Sequence, residues 1–162
     1  MCLMAEQVPG FGVAVIREDG RWRCAAMDDA ALRELDAAIT ELRRIRSTGA
    51  VFGLLAVDDE FFIVLRPSPG GVALLLSDAA AALDYDIAAD TLDLLRVEPP
   101  DDVDDVWPEG SLDLLADLGL PAAEMQVIVD EMDLYPDEQL QMIAQRLGFA
   151  DEFAKHLDTI LQ

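Results

Sequence analysis

The residues able to do chemistry are few, and their spacing is wrong for it. His156 is the one histidine, and Cys2 and Cys24 are the two cysteines. A Ser/His/Asp or Cys/His site would have to use that single imidazole near the C-terminus. Glu152, one helical turn earlier, predicts an exposed ion pair there instead. Zinc needs three or four Cys, His or carboxylate ligands, which two distant cysteines and one histidine do not supply. Asp101, Asp102, Asp104 and Asp105 could attract Ca²⁺ loosely, but the run lacks the central glycine and the terminal bidentate glutamate of an EF-hand loop. Gly70-Gly71 has neither a P-loop Lys-Ser/Thr nor GxGxxG spacing, so it reads as a turn. Carboxylates are too common for any pair to stand out as a general acid and base. The expectation is a protein that is not an enzyme and uses no cofactor or metal.

The abundance of acid is itself informative. The 162 residues hold 33 Asp and Glu against 11 Lys and Arg, for a net charge of −22. Such a polyanion is repelled by nucleic-acid phosphates and anionic lipid surfaces, and its field favours basic partners. Direct nucleic-acid binding and membrane binding are therefore not expected. The charge is uneven: residues 1–97 carry a net −7 and residues 98–162 a net −15. Between Arg96 and Arg146 there is no Lys or Arg, while 14 acids run from Glu98 to Glu138. Salt bridges within that stretch are impossible, so its self-repulsion must be tolerated, or answered by the rest of the chain or by a partner.

The elements follow from periodicity. Phe11–Ile16 and Trp22–Ala26 flank Glu18-Asp19-Gly20, which has hairpin chemistry. A helix over 29–46 is predicted, with Leu32, Leu35, Ile39, Leu42 and Ile45 on one stripe, Asp28 or Asp29 as its cap, and Gly49 as its stop. Strands Val51–Val57, Phe61–Arg66 and Val72–Leu76 come next, then a helical stretch from Ser77 or Asp78 and a short helix over Ile87–Leu95. The order ββαβββα predicts an α+β fold with an antiparallel sheet and a crossing helix, as in profilin-like or roadblock-like modules.

Residues 98–110 read as an acidic, proline-containing linker between this domain (1–97) and a helical C-terminal subdomain (111–162). Trp107 within it could dock in a partner's pocket or fold back on its own domain, and the latter is favoured. Candidate partner-binding residues are Asp101, Asp102, Asp104, Asp105, Trp107 and Glu109. Four short helices follow: one capped by Ser111 and running to about Leu118 with Gly119 past its end, one from Pro121 to about Met132, one from Pro136 to about Leu147 closed by Gly148, and one over Ala150–Leu161. Leu140–Gly148 with the last helix has helix-turn-helix spacing. Asp151, Glu152 and Asp158 against Lys155 make that helix the wrong charge to read DNA. So small a bundle is marginal alone, so it should pack on the first half or on a partner.

Several segments in order, Gly12-Val13-Ala14-Val15, Leu74–Ala82, Gly110–Leu120 and Ile143–Gly148 with Asp151-Glu152-Phe153, resemble the bacterial family of tRNA adenosine deaminase-associated proteins. The resemblance implies an accessory role beside a tRNA adenosine deaminase and carries over no catalytic residue. The chain has neither the His-x-Glu nor the Pro-Cys-x-x-Cys of the deaminase itself. The expected function is that of a cytoplasmic, non-catalytic protein whose partner is such a deaminase or another basic, RNA-associated protein. A competing expectation is a small-ligand or sensory pocket in the N-terminal sheet, lined by Trp22, Phe52 and Phe62. The oligomeric state is not legible.

Overall fold

The Asp19-Gly20 turn has φ of 55° and 77°, the two left-handed residues that a type I′ hairpin requires. In the computed structural model it joins β1 (Gly10–Glu18) to β2 (Arg21–Ala26). The structure describes residues 9–99, 107–131 and 133–160. Strands β3 (Ala50–Val57), β4 (Phe61–Ser68), β5 (Gly71–Leu76) and β6 (Glu109–Gly110) complete an antiparallel sheet in the order β2-β1-β3-β4-β5-β6. The fold is α+β, as the element order predicts. The Pro67–Gly71 segment is tighter than a loop: Ser68 pairs with Gly71 in the ladder, which leaves a two-residue turn.

Side chains alternate across the sheet, and both faces are covered. Ala14, Ile16, Leu55, Ile63 and Leu65 pack against Leu32, Leu35, Leu42, Ile87 and Leu92 of the helices that follow β2 and β5. Val13, Val15, Phe52, Leu54, Phe62 and Val64 pack against Leu115, Met125, Ile128, Leu140, Ile143 and Phe153 from the C-terminal helices. This explains why Phe52–Val57 and Phe61–Leu65 read as continuous apolar runs: neither face of the middle strands meets water.

The helix expected over 29–46 is two pieces. A 3₁₀ turn (Asp29–Leu32) precedes α1 (Leu35–Arg43), and Glu34 between them is extended at φ −130°, ψ 119°. The Asp28 carboxylate accepts from the Ala30 N–H and so satisfies a donor that a longer helix would use. The bend puts Ala31, Leu32, Leu35, Ala38 and Leu42 in the core and leaves Ile39 and Ile45 only partly buried. The same arrangement recurs after β5. Asp78 accepts from the Ala80 N–H, a 3₁₀ turn spans Ala79–Leu83, and α2 (Asp86–Leu95) follows.

β6 is the crossing point from the first face to the second. Gly110 pairs with Leu75 at φ 116°, and a Cβ there would lie 2.1 Å from the Leu74 carbonyl oxygen, so only glycine fits. The helix expected after Ser111 is reduced to turns and a 3₁₀ segment (Ala116–Leu118) ended by Gly119. Then come α3 (Ala122–Val129), α4 (Pro136–Leu147) and α5 (Ala150–Ile160). Pro136 opens α4 and Gly148 closes it in the left-handed conformation, as expected. The C-terminal helices thus pack on the first half of the chain.

Candidate functional site

The acids of the base-free stretch are answered from outside it, but only at two places among the described residues. Arg66 of β4 holds Asp117 with two hydrogen bonds of 2.6 and 2.9 Å and donates to the Leu114 carbonyl at 2.8 Å. This guanidinium holds the Asp117 carboxyl below the usual carboxylate range. Arg146 of α4 reaches Glu124 at 3.1 Å. Asp113, Asp133 and Asp137 have no ion-pair partner among the described residues.

One group of acids, unpaired among the described residues, comes together at one end of the sheet. Asp59 and Glu60 of the β3–β4 turn, Asp78 after β5, and Asp133 of the α3–α4 connection line one open groove of about 500 Å³. Tyr135, Pro136 and Gln139 form its other wall, and the Tyr135 side chain is largely in solvent, with 62% of the residue exposed. Each part is held in place. Asp58 and Asp59 sit at φ 52° and 53°, and Glu60 N–H closes the turn on the Val57 carbonyl at 2.9 Å. The Tyr85 hydroxyl donates to the Asp58 carboxylate. Gln139 is buried and donates to the Ile128 carbonyl at 2.9 Å, which fixes the α3–α4 connection. Glu138 accepts from the Tyr135 N–H at 3.0 Å and so anchors the start of α4.

Burial pushes the Asp78 carboxyl above its ordinary range, against the lowering effect of the Ala80 N–H, and the Glu60 charge adds to the rise. The groove therefore gathers like charges with no cation among them. It can bind a basic side chain through its carboxylates and can stack a guanidinium on Tyr135.

Of the sequence-predicted partner residues, Asp101, Asp102, Asp104 and Asp105 lie outside the described residues. Trp107 folds back on its own chain, as favoured: it packs on the first core, and its carbonyl accepts from the Ala79 N–H at 2.8 Å. Its indole N–H donates to Glu109 at 2.8 Å. Trp107 therefore lies beside Ala79, and Glu109 is paired with Leu76. Sequence reading missed Asp78, Asp133 and Tyr135, since only the fold brings the three together. The one local signal was an acidic pair, Asp58-Asp59, in a turn where glycine is usual.

The remaining chemical candidates are spent on structure. The expected His156–Glu152 ion pair does not form among the described residues. His156 turns its Nε2 into α5's packed side, where it has no hydrogen-bond partner, and burial lowers its pKa. Cys24 is a free thiol, and its pKa is pushed up to about 11 by burial and then by Glu152, so it is held protonated. Trp22, Phe52 and Phe62 do not line one pocket together: Trp22 borders an open cavity with Arg21 and Arg23. Phe52 and Phe62 are fully buried, and Trp22 lies 4.7 Å from the Phe149 ring centre.

The comparisons with known proteins place the chain in a family. A family described as Rv3753c-like tRNA adenosine deaminase-associated protein matches residues 10–150. The curated protein Rv3753c of Mycobacterium tuberculosis (strain ATCC 25618 / H37Rv) is 59% identical over 159 residues, which is 96% of this chain and 92% of that protein. No solved structure matches the chain. No described helix is long and apolar enough to cross a membrane.

Proposed function

The chain belongs to the Rv3753c-like tRNA adenosine deaminase-associated protein family, and from that premise we propose that it is a non-catalytic accessory protein that binds a tRNA adenosine deaminase. An enzyme that takes tRNA as substrate must present cationic surface to the phosphates. This chain offers the complementary surface, an acidic groove with an exposed tyrosine. The observation that carries the reading is the grouping of Asp59, Glu60, Asp78 and Asp133 around one groove with no cation among them. On their charge and sequence alone, Asp101, Asp102, Asp104 and Asp105, with Trp107 and Glu109, are proposed as further deaminase contacts. By occupying phosphate-binding positions, the protein would compete with tRNA or set its access.

The test uses the full chain and the tRNA adenosine deaminase of the same organism. The two should co-elute at low salt and separate at about 0.5 M salt, where the Debye length is only a few Å. A variant with Asp59→Asn, Glu60→Gln and Asp133→Asn should bind at least tenfold more weakly, a loss of about 1.4 kcal/mol. If that variant binds as tightly as the wild type, the groove is not the interface.

A further inference from the structure

The two edges of the sheet are treated differently. At one edge the chain covers β5 itself: β6 pairs with Leu75 and Leu76, and Ser111 N–H donates to the Leu74 carbonyl at 2.8 Å. The other edge is β2, which pairs on its inner side with β1. Met27 N–H donates to the Gly12 carbonyl at 2.9 Å, which fixes the phase of that ladder. Counting back in steps of two, Ala25, Arg23 and Arg21 turn their backbone groups toward β1. Trp22, Cys24 and Ala26 turn theirs outward. No backbone group among the described residues meets them there. An edge strand of six residues with three outward N–H and three outward C=O groups is a template for another strand.

The side chains on this strand select its occupant. Going outward from Cys24, large residues lie on one side and small ones on the other: Arg23 and Trp22 precede it, and Ala25 and Ala26 follow. We propose that a second copy of this chain pairs here, β2 against β2, antiparallel, with Cys24 on the two-fold axis. In that register Trp22 faces Ala26 of the other copy and Arg23 faces its Ala25, so each bulky side chain meets a small one. The outward groups form about six hydrogen bonds across the axis. Arg21 comes level with Met27 of the other copy, beside the exposed Asp28 and Asp29, which gives an opposite-charge contact at each end. A two-fold contact of this kind is closed, so it yields a dimer and no filament.

Like charges oppose the pairing. Each copy carries −22, and Glu152, whose charge acts on Cys24, lies close to the axis in both. Screening relieves both effects, so the dimer should strengthen as salt rises. Binding to a cationic deaminase should weaken over the same range, so failure of either idea is visible without the other.

The experiment is sedimentation equilibrium of the full chain from low salt to about 0.5 M salt, over a wide concentration range. The expected result is the mass of one chain at low salt, shifting to that of two chains as salt and concentration rise. Ala26→Pro removes an outward N–H, which an edge strand tolerates, and should keep the protein monomeric with an unchanged Tm. Ala25→Arg, at an exposed position, sets a second arginine against Arg23 of the other copy and should weaken the dimer at least tenfold, while Ala25→Glu should tighten it. A wild type that stays monomeric at every salt and concentration overturns the proposal. So does an Ala25→Arg variant that dimerises as well as the wild type.

Discussion

Asp59 carries a cost that its position does not require. It occupies a left-handed turn position, φ 53°, where glycine fits freely and an L residue is disfavoured by roughly 1 kcal/mol. The other type I′ turn of the sheet does use glycine, at Gly20. An aspartate kept in such a place fits a role in presenting charge, because its carboxylate lines the acidic groove. Asp59→Gly should therefore leave Tm unchanged or raise it, while weakening the deaminase complex. Thermal unfolding and a binding titration on one sample measure both, and a variant that binds normally would show that the charge is idle. His156 makes a different prediction. Its folded pKa lies below its ordinary 6.5, so the folded state takes up fewer protons than the unfolded. The stability that follows is complete above about pH 6.5 and is lost as pH falls toward the folded value. Replacing the imidazole by leucine should flatten the stability profile between about pH 7 and 5 relative to wild type. An equal slope in both proteins would mean that the histidine is already charged when folded. The sequence placed an ion pair here because it shows helical spacing, but spacing alone does not say which side of α5 faces the sheet.

At the scale of elements, most strands and helix ends were legible because each rests on local chemistry: a glycine in a left-handed turn, a proline at a helix start, or alternation of apolar residues. The break between Leu32 and Leu35 was not. A stripe at helical spacing is compatible with one long helix, and only the packing of both leucines under the sheet, with Asp28 capping the short turn, favours two pieces. The docking of the C-terminal helices was legible in part, since a small bundle needs a further apolar surface. That they cover the second face of the sheet came from the fold. Phe153 lies at this seam, fully buried beside Phe11 and Phe149. Phe153→Ala should cost about 3–5 kcal/mol in a denaturant titration. A loss below about 1 kcal/mol would mean that α5 contributes little to the shared core.

For the molecule as a whole, the excess acid was plain in the composition, but its arrangement was not. Two arginines, Arg66 and Arg146, neutralise acids on the C-terminal half. The turn between β3 and β4, the cap after β5 and the α3–α4 connection then bring uncompensated carboxylates to one groove. The acids of the groove come from three segments far apart in sequence, Asp59-Glu60, Asp78 and Asp133, so only the topology unites them. In the proposed function this groove is the surface that meets the cationic deaminase. The measurement that tests this most directly is a calorimetric titration of the full chain into purified tRNA adenosine deaminase, at about 50 mM and about 0.5 M salt. The account predicts a complex at low salt whose Kd rises by at least tenfold at high salt, with tRNA competing for it. No heat of binding at low salt, or an affinity indifferent to salt and to tRNA, would contradict it.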